Sequence, residues 1–313
     1  MANLLVTTDC QRNCSYCFAQ GDKDKRLTIN WDDFITAANF IATGPRALNL
    51  LGGEPTLHPE FAHMLAYLLE KDYIVQIFTN GMIRRTLLDK ITDILNRIAL
   101  REHQLFFAVN INEEKYRSKE EDRLQKRFLD SMGHLAYPSF TIHEKTSLLF
   151  LQKIVEDYYL EKSIRLGLAM PIQGVDNKFL SKDSYRDVAK SIVELANNSE
   201  GTTITFDCGF PLCMFELDEI SKLTTNEEND FSFICGTPLD IYPDLTMTNC
   251  YPLSKLHKTH MMNFNNIMDA YKYFEEGFAV PEGIYGHKCV ECQFFRKVCY
   301  GGCKGFALPK EKQ

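Results

Sequence analysis

Asn3-Leu4-Leu5-Val6-Thr7-Thr8-Asp9-Cys10-Gln11-Arg12-Asn13-Cys14-Ser15-Tyr16-Cys17-Phe18 is the stretch on which the reading of this chain turns. Residues 3–7 form a short apolar run expected to be a strand, and the rest is a loop carrying three thiols as C-x3-C-x2-C. Soft thiolates this close together suit an iron–sulfur cluster or zinc. The number matters. A structural metal site normally closes its shell with four ligands, whereas three leave one position open to substrate. No further Cys or His follows before His58. A zinc site completed by a distant residue, or free core cysteines, are the competing readings.

Outward from this loop, short apolar strands alternate with amphipathic helices over roughly the first 200 residues. Strands are expected at 47–51, 73–78, 105–109, 140–143, 164–169 and 202–207. Trp31, Phe34, Ile35, Ala38 and Ile41 recur at helical spacing after Asn30, a residue suited to the N-cap. The mixed charges of 113–127 read as the solvated face of another helix. Such alternation implies a parallel sheet covered by helices, with functional loops gathered at the carboxyl ends of its strands. Gly52-Gly53-Glu54-Pro55, Thr79-Asn80-Gly81 and Asn110-Ile111-Asn112 all fall at such ends.

The pattern changes after about residue 200, where helices thin out and cysteines return. Of eleven cysteines, three lie in the first seventeen residues and eight after residue 207. Cys235 and Cys250 bracket a hairpin expected at 241–249, turning at Pro243-Asp244. Cys289, Cys292, Cys299 and Cys303 follow as C-x2-C-x6-C-x3-C, and Cys208 and Cys213 precede the group. Eight thiols suffice for two sets of four. The competing reading is a zinc knuckle that stabilises the C-terminus. The division expected is 1–200 and 201–313.

Composition excludes several classes. With 45% apolar and 25% charged residues the chain is ordinary globular material, and a net charge of −7 gives no footprint for a nucleic-acid backbone or an anionic membrane. No apolar run approaches a membrane span, and the N-terminus lacks a secretory signal, so the reducing cytoplasm is expected. Disulfides are disfavoured there, which leaves metal ligation to account for clustered thiols.

The C-x3-C-x2-C loop with an aromatic residue, Tyr16, before its last Cys resembles the radical S-adenosylmethionine superfamily. The resemblance extends to Gly52-Gly53-Glu54-Pro55, like that family's GGEP motif, and to Thr79-Asn80-Gly81. Residues 200–305 resemble its SPASM or twitch extension, which carries auxiliary clusters. Two departures stand out: six residues, 293–298, where that pattern has five, and no Cys beyond Cys303.

The resemblance implies a partial (β/α)6 TIM-like barrel followed by a small cysteine-rich domain. It implies that Cys10, Cys14 and Cys17 hold three irons of a [4Fe–4S] cluster, and that S-adenosylmethionine chelates the fourth. Gly52, Gly53 and Glu54 would then line the methionyl amine, Tyr16 and Phe18 would flank the adenine, and Asn80, Asn110 and Asn112 are further cofactor contacts. The reduced cluster would cleave the sulfonium, and a 5′-deoxyadenosyl radical would abstract hydrogen from substrate. One or two auxiliary [4Fe–4S] clusters are implied among Cys208, Cys213, Cys235, Cys250, Cys289, Cys292, Cys299 and Cys303. The missing ligand of the pattern would come from Cys208 or Cys213, unless one cluster is open to substrate or only one is present. An unligated Cys208 or Cys213 could instead donate a hydrogen atom.

A peptide or protein is the leading substrate class, with a small-molecule dehydrogenase or carbon–carbon bond-forming enzyme as the alternative. An electron donor such as a flavodoxin or ferredoxin is implied. Because Cys10 lies so near the start, a separate protein is expected to present any leader-bearing peptide. A non-catalytic zinc- or iron–sulfur-binding interaction module is the reading from another class.

Overall fold

Strands and helices alternate in the computed structural model, which describes all residues but 173, 225–228, 237, 278–281 and 307–313. The order is β1 (Ala2–Thr7), α1 (Trp31–Ile41), β2 (Ala47–Gly52), α2 (Phe61–Glu70), β3 (Ile74–Thr79), α3 (Arg85–Arg97) and β4 (Leu105–Asn110). There follow α4 (Lys119–Met132), β5 (Ala136–Ile142), α5 (Leu149–Asp157), β6 (Ser163–Leu168), α6 (Tyr185–Asn197) and β7 (Thr203–Phe206). Beyond them lie α7 (Leu217–Leu223), β8 (Asp240–Ile241), β9 (Thr246–Thr248), β10 (Thr259–His260), α8 (Ile267–Gly277) and the one-turn α9 (His287–Val290).

One sheet takes in all ten strands, in the order β10-β9-β8-β1-β2-β3-β4-β5-β6-β7. β1 to β7 are parallel throughout, so each crossover lays a helix on the outer face. The strands are apolar on both faces, because one packs on those helices and the other turns inward. Leu4, Leu48, Leu50, Phe107 and Leu166 are fully buried, each contributing about 1.5–3 kcal/mol relative to exposure. The sheet curls. The Arg165 guanidinium of β6 sits 4.7 Å from the ring centre of Phe78 on β3, whereas a flat sheet would hold those strands roughly 14 Å apart.

Local chemistry agrees with these boundaries. Asn30 caps α1 by accepting from the Asp33 amide, with Asp32 and Asp33 in the positive first turn. Ser118 caps α4 in the same way. The expected hairpin forms as β8 and β9, with β8 laid parallel against β1 in register Asn3↔Asp240. Residues after 201 therefore extend the sheet at both ends, β7 at one and β8–β10 at the other. α6 and α8 stand where sequence reading named no helix; their buried stripes, such as Val188, Ala189 and Ile192, are short and flanked by polar residues.

Candidate active site

The loop after β1 is held from below by a pair of glycines. Gly53 N–H donates to the Thr7 carbonyl (2.8 Å) and Glu54 N–H to the Asp9 carbonyl (2.7 Å), so the end of β2 lies directly against the entrance to the thiol loop. A Cβ at Gly53 would stand 2.3 Å from the Asp9 oxygen, and one at Gly52, where φ is +151°, 2.1 Å from the Thr7 oxygen. The glycines thus admit the close contact between β2 and the loop, and both also line the cavity onto which the loop thiols open.

Glu54 is buried and clamps β2 to β3. Its Oε1 accepts from the Thr56 hydroxyl (2.6 Å) and the Thr79 hydroxyl (2.8 Å), and Oε2 accepts from the Asn80 amide (2.7 Å). Burial pushes its carboxyl upward while these donors pull it down. Oε2 keeps acceptor capacity for an ammonium group.

Arg12, inside the loop, is the anchor that sequence reading missed. Its guanidinium donates to the Asn110 carbonyl (2.9 Å) and Oδ1 (3.0 Å), to the Asn80 carbonyl (3.3 Å), and to Glu121 of α4. Both ion-pair partners are buried. The helix expected to show only a solvated face instead turns Glu121 and Gln125 inward, and Gln125 also donates to the Asn80 carbonyl (2.8 Å). Spacing in α4, at i and i+4, was the available signal.

The other expected contacts divide. Asn80 lines the cavity, its Oδ1 accepting from the Met82 amide (2.8 Å) and its Nδ2 lying 4.0 Å from the Cys10 sulfur. Asn110 lines it too, with its side chain engaged by Arg12. Asn112 stands behind Tyr16, accepting its hydroxyl at 2.6 Å, and is absent from the lining. Tyr16 stacks on His143 (4.3 Å between ring centres), which fills one of its faces, and Phe18 packs edge-on against Tyr251. His58 is buried, with Nε2 2.8 Å from the Ile29 carbonyl, as a structural residue.

All three loop thiols open on one cavity of about 440 Å³ inside the curl of the sheet. Four of the C-terminal cysteines, Cys208, Cys235, Cys250 and Cys303, line the same cavity. The remaining four, Cys213, Cys289, Cys292 and Cys299, line a second cavity of about 470 Å³, which Phe294 and Phe295 also line. Electrostatics draws the same partition. Burial pushes the Cys208 thiol well up, helped by Asp207 and then by Cys303, Cys235 and Cys250. Burial with Cys299, Cys289 and Cys292 pushes Cys213 up to about 11. Cys208 opens onto the cavity, yet protein rings it.

Left-handed glycines separate the sets. Gly209, at φ +100°, stands between Cys208 and Cys213; Gly301 and Gly302, at +74° and +77°, stand between Cys299 and Cys303. Each turn sends neighbouring thiols to opposite cavities. Among the described residues no three His, Cys, Asp or Glu side chains gather closely enough to share a single metal ion. Four thiolates on one zinc would stand about 3.8 Å apart. Thiolates are soft ligands suited to iron–sulfur clusters, and the three loop thiols with the two sets of four supply donors of that kind.

Residues 4–127 match the family model described as the Radical SAM superfamily. An S-adenosylmethionine-dependent nucleotide dehydratase of Selenomonas ruminantium is 38% identical over 81 residues, 25% of this chain and 29% of that protein. That match therefore spans less than a third of the curated relative. SuiB of Streptococcus suis bound to S-adenosylmethionine superposes with a TM-score of 0.69 at 15% identity, covering 97% of this chain and 72% of that one. SuiB bound to its precursor peptide SuiA gives 0.64 at 13% identity, covering 97% and 71%. At such identities the likeness is one of fold. No helix among the described residues is long and apolar enough to cross a membrane.

Proposed function

We propose that this chain, which carries a radical SAM domain over residues 4–127, is a radical enzyme that abstracts hydrogen from a peptide substrate. The observation that carries this reading is the opening of Cys10, Cys14 and Cys17 on one cavity with Gly53, Glu54 and Asn80. Cys10, Cys14 and Cys17 would hold three irons of a [4Fe–4S] cluster, with S-adenosylmethionine on the fourth. Reduced by one electron from a partner such as a flavodoxin or ferredoxin, that assembly supplies methionine and a 5′-deoxyadenosyl radical, which takes a hydrogen atom from substrate. Glu54 Oε2 receives the methionyl amine, since a buried carboxylate with spare acceptor capacity favours an ammonium. Arg12 keeps the loop fixed on β3, β4 and α4 while substrate enters.

Cys208, Cys235, Cys250 and Cys303 would hold one auxiliary cluster, and Cys213, Cys289, Cys292 and Cys299 a second. This replaces the missing downstream ligand with Cys213 and leaves no thiol over as a hydrogen donor.

A peptide is favoured by the fold shared with SuiB, which binds a precursor peptide. The relative that acts as a nucleotide dehydratase supports a second reading, a nucleotide substrate. Cavity chemistry weighs against it: Arg12 is paired with Glu121, Arg165 with Asp207 (2.8 Å), and Asp240 adds an acid, which leaves Lys304 as the cation to meet a polyphosphate. The test is anaerobic purification followed by dithionite. Release of 5′-deoxyadenosine from S-adenosylmethionine supports the enzyme; a colourless protein that leaves S-adenosylmethionine intact refutes it.

A further inference from the structure

Beneath the apolar layer of Leu51 and Phe78, the cavity ends on a row of polar side chains in register across four strands. Asp240 on β8 is paired with Asn3 on β1, Asn3 with Asn49 on β2, and Asn49 with Gln76 on β3. All four line the cavity. No reading of the sequence singled them out, because each is an isolated polar residue in an apolar strand.

The acid fixes the direction of every hydrogen bond in this row. Asn3 donates its Nδ2 to Asp240 Oδ1 (2.6 Å), an oxygen that accepts whether the carboxyl is ionised or carries its proton on Oδ2. Asn3 then offers Oδ1, and Asn49 must donate its Nδ2 (2.7 Å). Asn49 Oδ1 is left as a buried acceptor with no partner among the described residues. Asp240 is 5% exposed, and Asn3 is the hydrogen-bond donor the structure gives its side chain. Asn49 and Asp240 both line the cavity, and their buried acceptors cost free energy until a donor arrives.

We infer that this row binds a positively charged, N–H-donating group of the substrate, an ammonium or guanidinium such as a basic peptide side chain carries. Asp240 supplies the charge and Asn49 Oδ1 the second hydrogen bond, while Leu51 and Phe78 pack on the alkyl stem. The acid has no cation of its own in the row: the nearby Arg165 is held by Asp207 and by the Phe78 ring. Burial pushes the Asp240 carboxyl up to about 7, so an arriving cation would restore its charge. The inference rests on the reading of this cavity as the substrate site.

The test is binding of n-butylammonium and n-butylguanidinium to the reconstituted holoprotein with S-adenosylmethionine present, with butyrate and n-pentanol as controls. Both cations should bind and both controls fail, and Asp240→Asn should weaken the cations at least ~tenfold. Cluster iron and S-adenosylmethionine affinity should be unchanged in that variant. Controls that bind as well as the cations, or an Asp240→Asn variant that binds them equally, would overturn the inference. If Asp240→Asn fails to fold, Gln76→Glu adds a second acid at the open end of the row and should tighten n-butylammonium several-fold; no change there overturns it. Release of 5′-deoxyadenosine, measured in parallel, separates the two claims. Release without cation binding sinks only this inference, and cation binding without release sinks only the radical reading.

Discussion

Cys10, Cys14 and Cys17 share one short loop, whereas each C-terminal quartet gathers thiols from segments far apart in the chain. The loop is fastened before any metal arrives: β2 hydrogen-bonds to its entrance, glycines admit the contact, and Arg12 ties it to β3, β4 and α4. The quartets sit in turns with little regular structure, where Cys299 Sγ accepts weak hydrogen bonds from the Leu212 (3.4 Å) and Gly301 (3.3 Å) amides. A site that must bind and release S-adenosylmethionine gains from a preformed frame. Quartets that held the proposed auxiliary clusters would let the metal itself order the chain.

The largest expected effect cuts the two regions apart. Replacing Cys10, Cys14 and Cys17 together by Ala should abolish 5′-deoxyadenosine release while leaving the iron of both quartets in place, measured by iron content and visible absorbance. If that iron is lost too, the regions are not independent.

Gly53→Ala tests the frame. Its Cβ would meet the Asp9 carbonyl oxygen at 2.3 Å, so the loop must move, and cleavage of S-adenosylmethionine should fall by at least ~100-fold, as for a displacement of about 1 Å at a reacting centre. The quartets should keep their iron.

Arg12→Met leaves Glu121 buried without its charge partner, which should cost about 3–5 kcal/mol in chemical denaturation. The double variant Arg12→Met with Glu121→Leu should recover most of this, because both charges are then gone. Equal losses in the single and double variants would show that the guanidinium's contacts to Asn80 and Asn110 matter more than its ion pair.

Cys208→Ala and Cys213→Ala sharpen the partition. Each should reduce one cluster and spare the other, with additive iron losses in the double variant, since the two thiols stand in different cavities. Removal of iron by chelation should abolish amide-exchange protection around 283–303 well before the sheet opens.

The smallest effect concerns Asp240. Its carboxyl stands at about 7 in the fold, above the unfolded value of 3.8, so the folded chain holds the extra proton between those values. Stability from this group is full below about 3.8 and falls as pH rises through about 7. Asp240→Asn should flatten that part of the stability profile, measured by thermal melts of the ligand-free protein.

The amino-acid sequence by itself determined the alternation of strand and helix, the three-thiol loop and the motif positions at strand ends, because these are local: periodicity, capping and spacing along the chain. It also gave the hairpin between Cys235 and Cys250, since turn chemistry is local as well. Only the tertiary structure decided which cysteines belong together, for neighbours such as Cys299 and Cys303 part at a left-handed Gly301-Gly302 turn while Cys208 and Cys303 meet across the fold. The same holds for Arg12 on Glu121 and for the row from Asp240 to Gln76. Register between strands distant in sequence places those side chains together, and no pattern within any one strand encodes its neighbour's register.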